Sequence, residues 1–228
     1  MNNYYNTVDV NILVKGNPVA TYFKDEKTYI EAKDGSEYEI QIKNKNFNRI
    51  LALASVDGLD VLTGEPSSND DGGYVINPYD SFKVKGFRYS NEKVGSFKFV
   101  SNKKSSVSNQ ILKNCGTIVV KIFCDASAYT YTATSPTFVK NSETCNFDIN
   151  HNLNENCRFN MGSTWGSSKE SKVTSTDFDR GYIIHSFEFH YASRNTLLEM
   201  GVIGNSTPKV SFPKGFIKYA VPPKDWIG

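Results

Sequence analysis

Short segments that alternate apolar and polar residues recur along this chain, and turn sequences separate them. Residues 8–14 place valine or isoleucine at every second position, and residues 38–42 repeat the pattern with tyrosine and isoleucine. Successive side chains of a β-strand point to opposite faces, so this period predicts strands with one buried face. The same patterning predicts further short strands over 29–32, 74–76, 81–85, 94–99, 173–178 and 181–191.

Two segments are apolar almost throughout, which predicts central strands that are covered on both faces. They are residues 50–56 and 117–123. Asp57 and Gly58 directly follow the first of them and precede another apolar run. An Asp-Gly pair between apolar runs predicts a hairpin with a type I′ turn, because both central residues of that turn need positive φ.

One short helix is predicted late in the chain, over residues 194–200. Ser193 is a suitable N-cap and Gly201 a suitable terminator. Together these elements predict an all-β fold, an antiparallel β-sandwich of jelly-roll-like type with one short C-terminal helix.

The texture of the sequence predicts one β-domain with an interruption. Residues 1–124 carry most of the strand patterning and are interpreted as the β-sandwich. Residues 125–160 are rich in Ser, Thr and Asn with little periodicity, and we interpret them as a polar excursion or insertion. Residues 161–228 are expected to complete the β-domain with the short helix and an extended tail.

Charge and hydropathy exclude several classes of partner. The chain carries 26 basic and 24 acidic residues, which are interleaved, so we predict no nucleic-acid partner. No apolar run approaches the roughly 20 residues of a membrane helix, and we predict no membrane partner. The first ten residues lack the features of a secretion signal, so we expect a virion or cytoplasmic location and read the four cysteines as thiols.

No catalytic motif stands out, and we predict no catalytic residue, metal ligand or cofactor. A Gly-x-Ser-x-Gly sequence and a Cys–His pairing are both missing. His185 is interpreted as a packed histidine and His190 as a surface one. The acidic residues between 57 and 71 could offer oxygen ligands to Ca²⁺, but their spacing differs from an EF-hand loop, and we interpret them as turn residues.

Aromatic residues in segments with little strand patterning are the candidate contacts with other proteins, because buried aromatic rings are common interface anchors. The alternative interpretation is that these rings cover the edges of the core. The predicted partner-binding residues are Tyr4, Tyr5, Tyr129, Tyr131, Phe138, Trp165, Tyr219 and Trp226.

Several sequence segments resemble a family of largely uncharacterised proteins of bacteria and viruses. They are VDGLDVLTGEP from residue 56, GGYVINPYDSFKVKGFRYS from residue 72, VGSFKF from residue 94, GTIVVKIF from residue 116, GSTWGSSKESKVTSTDF from residue 162 and YASRNTLLEMGV from residue 191. The resemblance covers most of the chain outside residues 125–160. It implies that the residues before and after the excursion form one unit, and it carries over no catalytic residue.

The sequence therefore supports three hypotheses about function. The first is a structural assembly protein, a capsid or virion component that contacts other protein subunits through its loops and tails. The second is a carbohydrate- or protein-binding β-sandwich module. The third, ranked lowest, is an enzyme with a metal held by Asp57, Asp60, Asp70 or Asp71.

Overall fold

The computed structural model describes residues 7–101, 115–129 and 160–204, with the backbone alone at residues 128 and 129. The strands of this part are β1 (Val8–Val14), β2 (Asn17–Pro18), β3 (Thr21–Lys24), β4 (Lys27–Glu31), β5 (Glu37–Asn44), β6 (Ile50–Val56), β7 (Leu59–Asp60), β8 (Tyr74–Ile76), β9 (Ser81–Val84), β10 (Gly86–Arg88), β11 (Lys93–Ser101), β12 (Thr117–Asp125), β13 (Met161–Glu170) and β14 (Arg180–Ala192). A short 3-10 helix covers Ala126–Tyr129, and the α-helix α1 covers Arg194–Glu199.

The strands form two seven-stranded sheets. The first sheet has the order β10-β11-β5-β1-β2, with β13 also on β11 and β9 also on β5. The second has the order β3-β4-β14-β12-β6-β7, with β8 also on β6. All pairs are antiparallel except β4 with β14, which is parallel. The predicted all-β sandwich with one short helix is thus confirmed.

The main core lies between the two sheets and is built by the alternating strands. Ile12 and Ile40 of the first sheet and Val120 and Ile122 of the second belong to one buried cluster. Strand β6 is buried along its whole length, as predicted for a central strand. Its outward-facing leucines form a separate small cluster with Phe123 on the outer face of the second sheet.

The turns behave as their sequences predict. Asp57 and Gly58 have φ values of 53° and 80°, the pair of positive angles that a type I′ hairpin requires. At the start of α1, the side chain of Ser193 accepts a hydrogen bond from the Thr196 amide, and Gly201 follows the helix with a φ of 65°. No helix in the described part of the chain is long and apolar enough to cross a bilayer.

The prediction of a strand over residues 173–178 is wrong. Strand β13, which was not predicted, precedes this segment. Strand β13 pairs with β11 along nearly its whole length, although its sequence is rich in Ser and Gly. Residues 171–179 contain no strand because they carry the chain from the first sheet to the second. Side-chain bonds fix this crossing, including one from Arg49 to the Asp177 carbonyl.

Strand β14 departs from simple alternation because it contains a bulge. Ile122 pairs with His185 but its neighbour Phe123 pairs with Ile183, so Ile184 is the extra residue. The bulge reverses the faces, and Ile184 packs against the core while Ile183 is exposed. Strict alternation predicts that Ile183 shares the buried face of Phe189 and Tyr191. The bulge makes this prediction wrong.

His190 is buried, and the prediction of a surface histidine is wrong. It lies on β14 directly opposite Tyr29 of β4, with 5.5 Å between the two ring centroids. The side chain of Tyr29 also packs with Leu197 of α1, so the helix covers this end of the outer face. The alternation of β14 gave no sign of this cover, since it comes from an element outside the strand.

The turn after β6 offers a direct test of its backbone geometry. Gly58→Ala should destabilise the protein by about 1–2 kcal/mol, because an L side chain clashes with its own backbone at positive φ. Gly72→Ala is the control, since its added Cβ would stand at an ordinary 3.5 Å from Leu62 Cδ1. Urea unfolding of both variants gives the comparison, and equal stabilities would contradict the turn assignment.

Candidate functional site

The carboxylate of Asp57 lies at the common end of the two sheets and is almost completely buried, with 1% of the residue exposed. One oxygen accepts hydrogen bonds from the amides of Gly116 at 2.8 Å and Thr117 at 3.2 Å. The other accepts from the amide of Ser163 at 2.7 Å, and the Tyr191 hydroxyl lies within 2.8 Å of both oxygens. All the donors that the described residues supply to this buried carboxylate are neutral.

The hydrogen bonds continue from Asp57 across the core. The hydroxyl of Ser163 lies 2.8 Å from the Tyr191 hydroxyl and 2.8 Å from the Tyr38 hydroxyl. Tyr38 and Ser163 belong to the first sheet, whereas Tyr191 belongs to the second and Asp57 lies in the turn between its strands β6 and β7. We call these four residues the intersheet network, because its hydrogen bonds connect the two layers.

Burial dominates the electrostatics of the intersheet network. It raises the pKa of Asp57 to about 6, although the hydrogen bonds from the four donor residues favour the charged form. Burial likewise raises the pKa of Tyr38 and of Tyr191 well above the ordinary value, and the nearby Asp57 charge adds to both shifts. A reacting molecule has no access to these groups, so the network is a structural element.

Two other carboxylates of the acidic stretch, those of Asp60 and Asp71, bind the backbone of their own loop. Asp60 accepts from the amides of Leu62 and Thr63, and Asp71 accepts from the Ser68 amide. Among the residues that the structure describes, no group of three or more His, Cys, Asp or Glu side chains could hold a metal ion.

Trp165 is the one predicted partner-binding residue whose side chain the structure describes. It lies in strand β13 and not in a loop, which corrects the basis on which it was chosen. The backbone of Tyr129 ends the 3-10 helix, but its side chain is not described. Tyr4, Tyr5, Tyr131, Phe138, Tyr219 and Trp226 lie outside the described residues.

Trp165 and Tyr89 form an exposed aromatic surface that lies over Phe87 and Gly95. We call these four residues the aromatic shelf. The indole stacks on the Phe87 ring at 5.4 Å between centroids with an interplanar angle of 21°. A Cβ at Gly95 would stand 2.3 Å from Trp165 Cε3, so only glycine lets the indole lie this close to β11. Trp165 stays 49% exposed and Tyr89 51% exposed.

A second exposed aromatic pair lies on two neighbouring loops, residues 45–49 and 77–80. Phe47 and Tyr79 are each 71% exposed. The loops are joined by a hydrogen bond from the Tyr79 amide to the Asn46 carbonyl at 3.2 Å. We call Phe47 and Tyr79 the loop pair.

The buried side chain of Asn44 holds both of these loops. Its amide group donates to the carbonyls of Asn48, Ile76 and Asn77, and its carbonyl oxygen accepts from the Asn46 amide. Tyr79 has a φ of 58°, which is strained for a bulky residue and is maintained by these surroundings. The loop pair is therefore presented on a fixed backbone.

Sequence patterning missed Phe47, Tyr79 and Tyr89 as candidate contact residues. Phe47 is a single aromatic ring within the polar stretch NKNFNR, and Tyr79 is one within the turn sequence NPYD. An isolated ring inside a polar turn has no period to assign it to a core face. That isolation was the available signal of an exposed aromatic residue.

Replacement of the buried carboxylate tests the intersheet network. Asp57→Asn should lower the free energy of unfolding by about 2–4 kcal/mol, because an amide NH₂ would face backbone N–H donors and leave them unsatisfied. Asp70→Asn, in an exposed position of the nearby loop, should change it by less than about 0.5 kcal/mol. Urea unfolding at pH 7 measures both free energies. An Asp57→Asn variant as stable as the wild type would refute the contribution of the intersheet network to stability.

The pKa of Asp57 also predicts how stability depends on pH. Its pKa is raised from the ordinary 3.8 to about 6, so the folded protein binds the proton more tightly than the unfolded chain. The resulting stabilisation is fully present below pH 3.8 and is lost as the pH rises through 6. We expect the free energy of unfolding to increase as the pH falls from 7 to 5.

Comparison with Asp57→Asn isolates this contribution, because the variant retains all other titrating groups. Glu37 does not interfere, since hydrogen bonds from Ser167 and Lys169 outweigh its burial and lower its pKa to about 2. The stabilisation that Glu37 contributes is lost only as the pH falls below its ordinary pKa of 4.5, which lies outside the range from pH 5 to 7. Urea unfolding at pH 5, 6 and 7 should show a larger increase with Asp57 than with Asn at this position; parallel profiles would count against it.

The comparisons with known proteins give a family but no activity. A search of curated proteins found no match, and a search of solved structures found none either. A family model described as a domain of unknown function, DUF7918, matches residues 7–206. That span includes every strand and the helix described above, and it agrees with the resemblance to an uncharacterised family. The chain therefore belongs to the DUF7918 family.

Proposed function

We propose that this protein is a non-catalytic structural protein that assembles with other protein subunits through its loops. The setting we propose is a capsid or virion, with synthesis in the cytoplasm. A rigid sandwich whose loops present the contacts is suited to this role, because loops can vary while the scaffold stays fixed.

The observation that carries the proposal is the fixation of the loop pair by Asn44. Exposed loop residues usually lose conformational freedom when they enter an interface, which weakens binding. Here four hydrogen bonds of the Asn44 side chain, together with the bond from Tyr79 to Asn46, have already ordered the backbone. A partner that covers Phe47 and Tyr79 therefore binds without ordering these loops.

The exposed area of the two rings is large enough to anchor a contact. Burial of one aromatic side chain is worth about 1.5–3 kcal/mol, so the loop pair could contribute several kcal/mol to association. The strained φ of Tyr79 supports the same conclusion, since strain is retained where the surrounding structure holds a residue for a purpose.

A double substitution of the loop pair tests the proposal. Phe47→Ala with Tyr79→Ala should abolish self-association or co-assembly with its partner subunits while leaving the thermal midpoint within a few degrees, because both rings are mostly exposed. Phe23→Ala is the matched control, since Phe23 is 77% exposed but lies on the edge strand β3. Sedimentation velocity at high protein concentration, alone and with partner subunits, measures the outcome.

The proposal predicts concentration-dependent assembly for the wild-type chain and for Phe23→Ala, and monomers for the double variant. A wild-type chain that stays strictly monomeric at high concentration and with its partners present would contradict an assembly role. Assembly that survives the double substitution would show that the contact lies elsewhere and would refute the role of the loop pair.

A further inference from the structure

The aromatic shelf differs from the loop pair in both construction and surroundings. Trp165 lies directly opposite Phe97 in the pairing of β13 with β11, so both side chains point to the same face of the first sheet. Phe97 is fully buried in the core, whereas Trp165 marks the place where that face becomes accessible. The shelf is therefore an exposed continuation of the inner face of the sheet.

The indole presents a flat face whose orientation is fixed. One side rests on Phe87, and Gly95 leaves room for the ring against the backbone of β11. Tyr89 stands beside the indole at 6.2 Å between centroids, tilted by 39°. Its hydroxyl lies 2.6 Å from the Ser168 hydroxyl, which fixes the second ring. The shelf therefore presents the indole ring of Trp165 and, beside it, the ring of Tyr89 at an angle of 39° to the indole.

The strand that carries Trp165 also has neutral, basic and acidic polar side chains. Lys169 forms an ion pair with Glu37 at 3.0 Å, and Glu37 also accepts hydrogen bonds from the amide and hydroxyl of Ser167. Glu170 lies directly opposite Lys93 in the pairing of β13 with β11. The ammonium group of Lys85 donates a hydrogen bond to the Glu170 carbonyl at 3.2 Å, so acidic and basic side chains are interspersed beside the shelf and neither sign forms a continuous patch.

From this geometry we propose that the aromatic shelf binds a neutral saccharide. The face of an aromatic ring carries partial negative charge, and the C–H groups of a pyranose ring carry partial positive charge, so a sugar ring stacks on the exposed face of Trp165. The tilted Tyr89 ring contacts the neighbouring sugar unit, and the hydroxyls beside the rings hydrogen-bond to the sugar hydroxyls. A neutral polyol matches the flat apolar face and a border on which acidic and basic side chains are interspersed.

The test uses defined neutral hexasaccharides of glucose, N-acetylglucosamine, xylose and mannose, with a sulfated hexasaccharide as the charged comparison. Isothermal titration calorimetry of the wild-type chain should show binding of at least one neutral hexasaccharide and weaker binding of the sulfated one. Trp226→Phe leaves Trp165 as the only tryptophan of the chain, and the same saccharide should change its fluorescence.

Variants of the shelf then identify the contact. Trp165→Leu should weaken binding at least about tenfold while still packing on Phe87, and Tyr89→Ala, on the solvent side, should weaken it severalfold. Phe23→Ala, at an exposed aromatic residue on β3 of the second sheet, should leave the affinity unchanged. If Trp165→Leu does not fold, as judged by circular dichroism, Tyr89→Ala and the Trp226→Phe fluorescence decide.

Three results would overturn the proposal. They are the absence of binding to every neutral saccharide, binding that survives both shelf substitutions, and a Trp165-dependent contact with a protein alone. These outcomes are separate from those of the assembly experiment, because the loop pair and the shelf share no residue.

Discussion

A carboxylate buried where the two sheets meet, to which the described residues offer only neutral donors, is the constraint on which this structure depends. The two carboxylate oxygens of Asp57 accept hydrogen bonds from the amides of Gly116 and Thr117 where β12 begins. They also accept hydrogen bonds from the amide of Ser163 in β13 and from the hydroxyl of Tyr191. A buried charge that loses one donor faces a desolvation cost of several kcal/mol, so the surrounding segments must hold their positions together. Because the intersheet network holds the two sheets in place relative to each other, the surface residues on their strands are held in place as well.

The elements that the sequence predicted well are those whose burial depends on their own alternation. Strands β1, β5 and β6 and the type I′ turn after β6 follow from local patterns, because the residues that decide them lie within a few positions of each other. The helix α1 follows for the same reason, since its cap and terminator are adjacent to it.

The parts that could not be predicted depend on contacts between distant residues. The donors to Asp57 lie 59, 60, 106 and 134 positions away, so an aspartate with an obvious turn role gave no sign of its buried network. Strand β13 is polar in sequence and is held by its pairing with β11. The aromatic shelf likewise requires Gly95 on one strand and Trp165 on another, a coincidence that only the pairing register reveals.

Native-state hydrogen exchange measures most directly whether Asp57 unites the two sheets. If it does, the amides of Gly116 and Ser163, which donate to the carboxylate, should exchange only when the whole protein unfolds. Their free energies of opening should then equal that of the central strand β6 and fall together with it in denaturant. Exchange of either amide through a local opening of clearly lower free energy would contradict this account.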